Sequence, residues 1–164
     1  MKKLFLIRHA KSSWKDDSLS DFERPLNKRG KSNAPFMGDK LKDANILPDI
    51  IISSPAIRAK STAEIIAKKL KYSKKIVYQK EIYEIGESAI NKILKKLDDK
   101  NSVAFLFGHN PDLNILAEEY GGFDENIPTC GVVELSFDCE RWRDISSQNA
   151  KFISFDYPKR YKID

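Results

Sequence analysis

His9 and His109 are the only histidines in the chain, and each directly follows a short apolar run. Arg8 precedes His9, and Arg58 follows Ser53-Ser54-Pro55 at the end of another apolar run. A single histidine is more often a hydrogen-bonded packing residue. Two histidines and two arginines at comparable positions point to chemistry instead. A guanidinium can grip a phosphoryl group through two parallel hydrogen bonds. A neutral imidazole is a good nucleophile near pH 7 and can attack phosphorus, while a second imidazole donates to a phosphoryl oxygen. This chemistry requires no metal or other cofactor. No H-E-x-x-H spacing is present, and Cys130 and Cys139 fit no common metal-site pattern. Arg58 in the first turn of a helix is mildly unfavourable against the helix dipole, and an anion held between them gives a reason for it.

These residues require elements that bring them to one edge. Residues 3–7 form a continuous apolar run flanked by charge, which reads as a strand buried on both faces. A polar loop covers 9–26. A helix is expected over 27–44, with Pro35 kinking or restarting it. Residues 49–53 read as a second buried strand. Ser54 then serves as N-cap and Pro55 as the first position of a helix over 56–70. A short strand over 76–78, a helix over 87–97 and a strand over 102–107 follow. Asn110-Pro111 repeats the cap-and-proline start for a helix over 112–120, and late strands fall at 132–137 and 152–155, the last at an edge. Strands alternating with helices predict an α/β fold, a three-layer α/β/α sandwich with a mostly parallel sheet. Ligands in such sheets sit beyond the carboxyl ends of the strands, where Arg8-His9, Ser53-Ser54, Tyr83-Glu84 and Gly108-His109 all fall.

The 164 residues suit one domain over 1–164. No apolar run approaches the ~18 residues of a membrane span, and the four apolar residues before Arg8 are too few for a signal-peptide core. With two cysteines and no disulfide framework, a reduced cytoplasmic protein is expected. Lys and Arg number 29 against 24 Asp and Glu, a net charge of +5, which weakly favours anionic partners. Acids such as Asp16, Asp17, Asp21 and Glu23 are mixed among the bases, which argues against nucleic acid as the partner.

Arg8-His9-Ala10-Lys11-Ser12 resembles the R-H-G-x-[ST] motif of the histidine phosphatase superfamily, the phosphoglycerate-mutase-like group. The resemblance continues through Trp14, Arg24-Pro25-Leu26 with Gly30, Ser53-Ser54-Pro55 with Arg58 and Thr62, Tyr83-Glu84, Gly108-His109-Asn110-Pro111 and Pro128-Thr129. Within the superfamily the chain is most similar to the short SixA-type phosphohistidine phosphatases. The resemblance implies a phosphoglycerate-mutase-like sandwich with one antiparallel strand. It also implies that His9 carries a transient phosphoryl group, and that Arg8, Arg58 and His109 line the phosphate pocket. Three departures stand out. Ala10 replaces the usual glycine, Lys15 stands where mutases often have an asparagine, and Glu84 stands where mutases and small-molecule phosphatases place a proton donor.

The expected activity is a metal-independent phosphatase working through phosphohistidine on His9, with a protein phosphohistidine as substrate. Its catalytic set is His9, His109, Arg8, Arg58 and Glu84. Ser12, Lys15 and Arg24 join Arg8, Arg58 and His109 in binding substrate. Little sequence between Arg58 and His109 is left for a lid, so a side chain on another protein can enter. Lys11, Lys15, Arg24, Lys28 and Arg29 cluster near the loop and either recognise an acidic partner surface or form a solvated face. The alternatives are a phosphatase of small phosphorylated metabolites and, from another class, a basic nucleic-acid-binding or inactive binding module. Trp14 is expected to anchor the loop in the core, Thr62 to be a buried helix residue, Thr129 to orient His109 or Arg8 or to cap a strand, and residues 157–164 to be peripheral.

Overall fold

The computed structural model describes residues 1–162. Six strands form one sheet: β1 (Lys2–Arg8), β2 (Ile50–Ser53), β3 (Val77–Tyr78), β4 (Val103–Gly108), β5 (Val132–Phe137) and β6 (Ala150–Asp156), in the order β3-β2-β4-β1-β5-β6. The first four are mutually parallel. β5 runs antiparallel to β1, and β6 antiparallel to β5, so β5 alone opposes the rest.

Alternation along the central strands makes two cores. Leu4, Leu6, Ala104 and Leu106 face α4 (Glu87–Lys95) and α5 (Asp112–Gly121), packing with Ile90, Leu94, Leu113 and Leu116. Phe5, Ile7, Phe105 and Phe107 face α1 (Lys28–Asp43) and α2 (Ile57–Lys69), packing with Ala34, Met37, Ala63 and Ile66. A strand apolar at every position is what a sheet covered on both faces requires. The result is the expected three-layer sandwich.

The helices correct three expectations, one of them at α5, whose N-cap is Pro111 and not Asn110. α1 runs through Pro35 unbroken, capped by the Asn27 side chain accepting from the Gly30 N–H. α2 begins at Ile57 with Ala56 as N-cap, so Ser54 is not its cap. A further short helix, α3 (Glu81–Glu84), precedes α4. Gly30 lies where α1 meets the loop after His9. A Cβ there would come within 2.2 Å of the Lys11 carbonyl oxygen, which itself accepts from the Asn27 N–H. Only glycine allows that approach, and it ties the loop after His9 to the start of α1.

Candidate active site

Strand register places the two histidines together. Arg8 pairs with Gly108 across β1 and β4, so the residues that follow, His9 and His109, leave the sheet side by side. Their ring centroids are 5.2 Å apart. Ser53 pairs with Phe107 on the other side of β4, which places Ser54 at the same edge. The backbone around His9 is held from several directions. Its N–H donates to the Gly108 carbonyl, and the Cys130 N–H reaches the carbonyls of both Arg8 and His9. Thr62 Oγ1 accepts from the Ala10 N–H at 2.9 Å while donating to the Arg58 carbonyl at 2.7 Å. Thr62 is therefore a buried helix residue, as expected, and also a strut between His9 and Arg58. Ala10 is fully buried with an ordinary negative φ, so its Cβ is accommodated where glycine is usual.

The His9 ring is oriented by its Nδ1, 2.8 Å from the Ala10 carbonyl oxygen. A carbonyl only accepts, so Nδ1 carries the proton and the Nε2 lone pair is free. His9 is 7% exposed. Burial pushes its pKa down to about 3 against the raising effect of the Ala10 hydrogen bond, with His109, Arg58 and Arg8 adding to the depression. His109 is depressed to about 4, by burial first and then by Arg58. Both rings are thus neutral at pH 7. His109 Nε2 meets Ser54 Oγ at 2.8 Å, and Ser54 Oγ also accepts from the Ala56 N–H. That hydroxyl serves the histidine instead of capping α2.

These depressed values make stability depend on pH. Below the unfolded value of 6.5, the unfolded chain takes up protons that the native histidines refuse, so native stability falls as pH falls toward about 4. Each histidine contributes up to about 1.4 kcal/mol per pH unit in that window. Lowering pH from 7 to 5 is expected to remove about 2–4 kcal/mol, measured by urea unfolding. The His9→Gln/His109→Gln double variant should show a much flatter fall. The same fall in both proteins would contradict the assignment.

Cations surround the pair. Arg58 donates through Nη1 to the Asp21 carbonyl at 2.7 Å and through Nη2 to Asp21 Oδ2 at 3.0 Å. The Tyr83 hydroxyl donates to the same carboxylate oxygen at 2.8 Å. Arg24 Nε lies 3.3 Å from Asp21 Oδ1, an ion pair outside hydrogen-bond alignment. Partial burial would raise the Asp21 pKa, but the hydrogen bonds from Tyr83 and Arg58 and the charges of Arg58 and Arg24 outweigh it and hold the carboxyl below its usual range. Arg8 donates through Nη1 to the Ile127 carbonyl at 3.0 Å, which also accepts from Asn110 Nδ2 at 2.8 Å. It is Ile127, and not Thr129, that holds Arg8. Among the described residues, Nε of Arg8, Arg24 and Arg58, Nη1 of Arg24 and Nδ1 of His109 are buried without a hydrogen-bond partner. Buried polar groups normally have partners. An oxyanion with several acceptor lone pairs supplies what this set lacks.

The remaining expected residues fall differently. Ser12 is buried in the loop after His9, bridged to Leu26 through the backbone, with no hydrogen bond from its hydroxyl among the described residues. Lys15 is exposed and lines a separate cavity with Asn27, Lys28, Arg29 and Ser32. Glu84 is exposed, and neither a hydrogen bond nor an ion pair joins it to the cluster. α3 instead presents Tyr83, whose ring lies 5.7 Å from that of His109. Trp14 is not a core anchor. It is 72% exposed and lies over the Arg24 guanidinium, 3.4 Å from ring centroid to carbon. Asp21 was not among the expected site residues, and its only local mark in the sequence is its place three residues before Arg24. Among the described residues no group of three His, Cys, Asp or Glu side chains could hold a metal ion, and no helix is long and apolar enough to cross a membrane.

Two histidines and Arg8 at the ends of parallel strands, joined by Arg58 from α2 and Arg24 from the loop after β1, define a class. The chain belongs to the histidine phosphatase superfamily (branch 1), whose pattern matches residues 4–88. In fold it is similar to a protein assigned as the phosphohistidine phosphatase SixA from Agrobacterium tumefaciens, with 26% identity, a TM-score of 0.81, and coverage of 96% of this chain and 99% of that one. It is also similar to the protein histidine phosphatase SixA complexed with tungstate, with 19% identity, a TM-score of 0.78, and coverage of 98% and 99%. An uncharacterised chloroplastic protein of Arabidopsis thaliana is 28% identical over 152 residues, covering 87% of this chain and 70% of that protein.

Proposed function

We propose that this chain is a phosphatase that takes a phosphoryl group onto Nε2 of His9 and releases it to water, with phosphohistidine on a protein as substrate. The observation that carries this reading is the His9 ring. It is locked by Nδ1–H on the Ala10 carbonyl, neutral, with Nε2 free among Arg8, Arg58 and His109. In the first step Nε2 attacks phosphorus, the bond from phosphorus to the substrate imidazole nitrogen breaks, and that nitrogen leaves with its electron pair, bearing or gaining a proton. In the second step water attacks phosphorus, the bond to Nε2 breaks, and inorganic phosphate departs. The arginines and His109 Nδ1 hold the non-bridging oxygens through both steps. A tungstate oxyanion in a protein of similar fold is consistent with such a pocket.

Two observations favour a protein substrate over a small metabolite. Between α2 and β4 the chain forms only β3, α3 and α4, with no added lid, and exposed Trp14 and Phe22 flank the cluster. Glu84, the position expected to protonate a poor leaving group, is exposed, and no hydrogen bond or ion pair ties its carboxylate to the histidines or arginines among the described residues. An alkoxide needs a positioned acid to leave, whereas a phosphohistidine imidazole leaves without one.

The test is kcat/KM for a phosphohistidine peptide, a phosphotyrosine peptide and sugar phosphates, with wild type and Glu84→Gln. Phosphohistidine should be the preferred substrate, and Glu84→Gln should change its hydrolysis less than about threefold. The small-metabolite reading instead predicts preferred sugar phosphates and an alkyl-phosphate loss of ~10²-fold in Glu84→Gln. Because the arginines supply the positive charge, activity should survive exhaustive chelation, and vanadate should inhibit. A strict need for added divalent metal would overturn this scheme.

A further inference from the structure

A second cationic cavity adjoins the site and shares Arg8 with it. Its volume is about 230 Å³, and Lys11, Arg29, Asn33, Thr129 and Lys159 are among the residues that line it with Arg8. Among the described residues, none that lines it is acidic. Arg29 and Asn33 lie one turn apart on α1, and Lys159 comes from the 3-10 turn Pro158–Tyr161. Residues 157–159 are therefore not merely peripheral, while 163 and 164 lie outside the described residues. Lys11, Arg29 and Lys159 have no ion-pair partner among the described residues. The Nε atom of Arg29 is shielded from water without an acceptor. Asn33 is 3% exposed, and the oxygen of its amide has no partner. Exchanging the amide's oxygen and nitrogen leaves its shape unchanged, so the group can present N–H donors to an anion. Like charges gathered around a small cavity with no acid in its wall are relieved by an anion.

We propose that this cavity is a second oxyanion subsite, filled by the carboxylate of an acidic residue that neighbours the phosphohistidine in the substrate protein. This rests on the phosphatase reading above, and Arg8 links the two places. Its guanidinium belongs to the wall of the cavity and to the charges around His9, so one peptide can occupy both places. The subsite thereby becomes a specificity determinant: it selects phosphohistidine beside an acidic side chain and leaves hydrolysis at His9 unchanged.

The experiment walks a single Glu through the positions flanking phosphohistidine in a peptide otherwise carrying Gln. At one position or more, Glu should raise kcat/KM about tenfold over the all-Gln peptide. The Arg29→Ala/Lys159→Ala variant should lose that gain while hydrolysing the all-Gln peptide at the wild-type rate. No gain at any position, or a gain that persists in the variant, overturns the proposal. A titration with inorganic phosphate followed by NMR separates the subsite from the activity. The Arg29 Nε–H and Asn33 amide signals should shift in wild type and, for Asn33, stay still in the double variant. If neither peptide is hydrolysed, the phosphatase reading fails and this titration alone decides the subsite, an absence of shifts counting against it.

Discussion

Replacing His9 with alanine is expected to lower kcat/KM on a phosphohistidine peptide by about 10⁴-fold or more, the scale seen when a covalent nucleophile is removed. No other side chain can take over. The His109 ring is the nearest imidazole, but its Nε2 is engaged by Ser54 Oγ, and its place at the end of β4 differs from that of His9 at the end of β1. Because His9 is buried, the variant's fold must be checked by near-UV circular dichroism, and His9→Gln, closer in volume, provides a second reading. Free imidazole should restore part of the His9→Ala activity by occupying the vacated space as a nucleophile, and should not restore His9→Gln. Turnover within tenfold of wild type in both variants would remove His9 from the chemistry.

Arg58→Ala is expected to cost about 10²–10³-fold, the usual worth of a fixed donor aimed at developing oxyanion charge. Arg58→Lys should recover little, since an ammonium cannot reproduce the guanidinium fork. The loss has a second component. Arg58 holds Asp21 through two hydrogen bonds, and without it the Asp21 carboxylate faces the incoming phosphoryl group with less compensation. Asp21→Asn alone is therefore expected to lower activity modestly, about tenfold, by loosening Arg58, Arg24 and Tyr83. Placed on Arg58→Ala, the same change should raise activity. The four proteins form a double-mutant cycle in kcat/KM, and simple multiplication of the single effects would contradict this arrangement.

Much of the scaffold was legible because its strands are continuous apolar runs. Residues 3–7 and 102–107 could be read as buried strands, and that alone placed His9 and His109 at carboxyl ends. Their adjacency was another matter, since the order β3-β2-β4-β1 joins strands about a hundred residues apart in the chain. Asp21 shows the limit clearly. In the sequence it is one acid in a polar loop, and its role comes from Arg58 and Tyr83, 37 and 62 positions away. Serine before proline is a good local cap, yet the Ser54 hydroxyl is claimed by His109, 55 positions on. Glu84 and Tyr83 sit in a helix of four residues, too short for periodicity to say which side chain turns inward. Pro35 was expected to disturb α1, yet one missing N–H is tolerated in a helix whose Ala34, Met37 and Leu41 are packed into the core.

Transfer of the phosphoryl group to His9 is tested most directly by rapid quench. Wild-type protein is mixed with phosphohistidine peptide labelled on phosphorus, stopped with alkali within the first turnover, and digested to locate the label. The expected result is an acid-labile, base-stable adduct on the peptide containing Arg8 and His9, on Nε2 of the imidazole, formed and lost at rates that match turnover. A label on His109, a base-labile adduct on a carboxylate, or full turnover with no labelled protein at any time would contradict it.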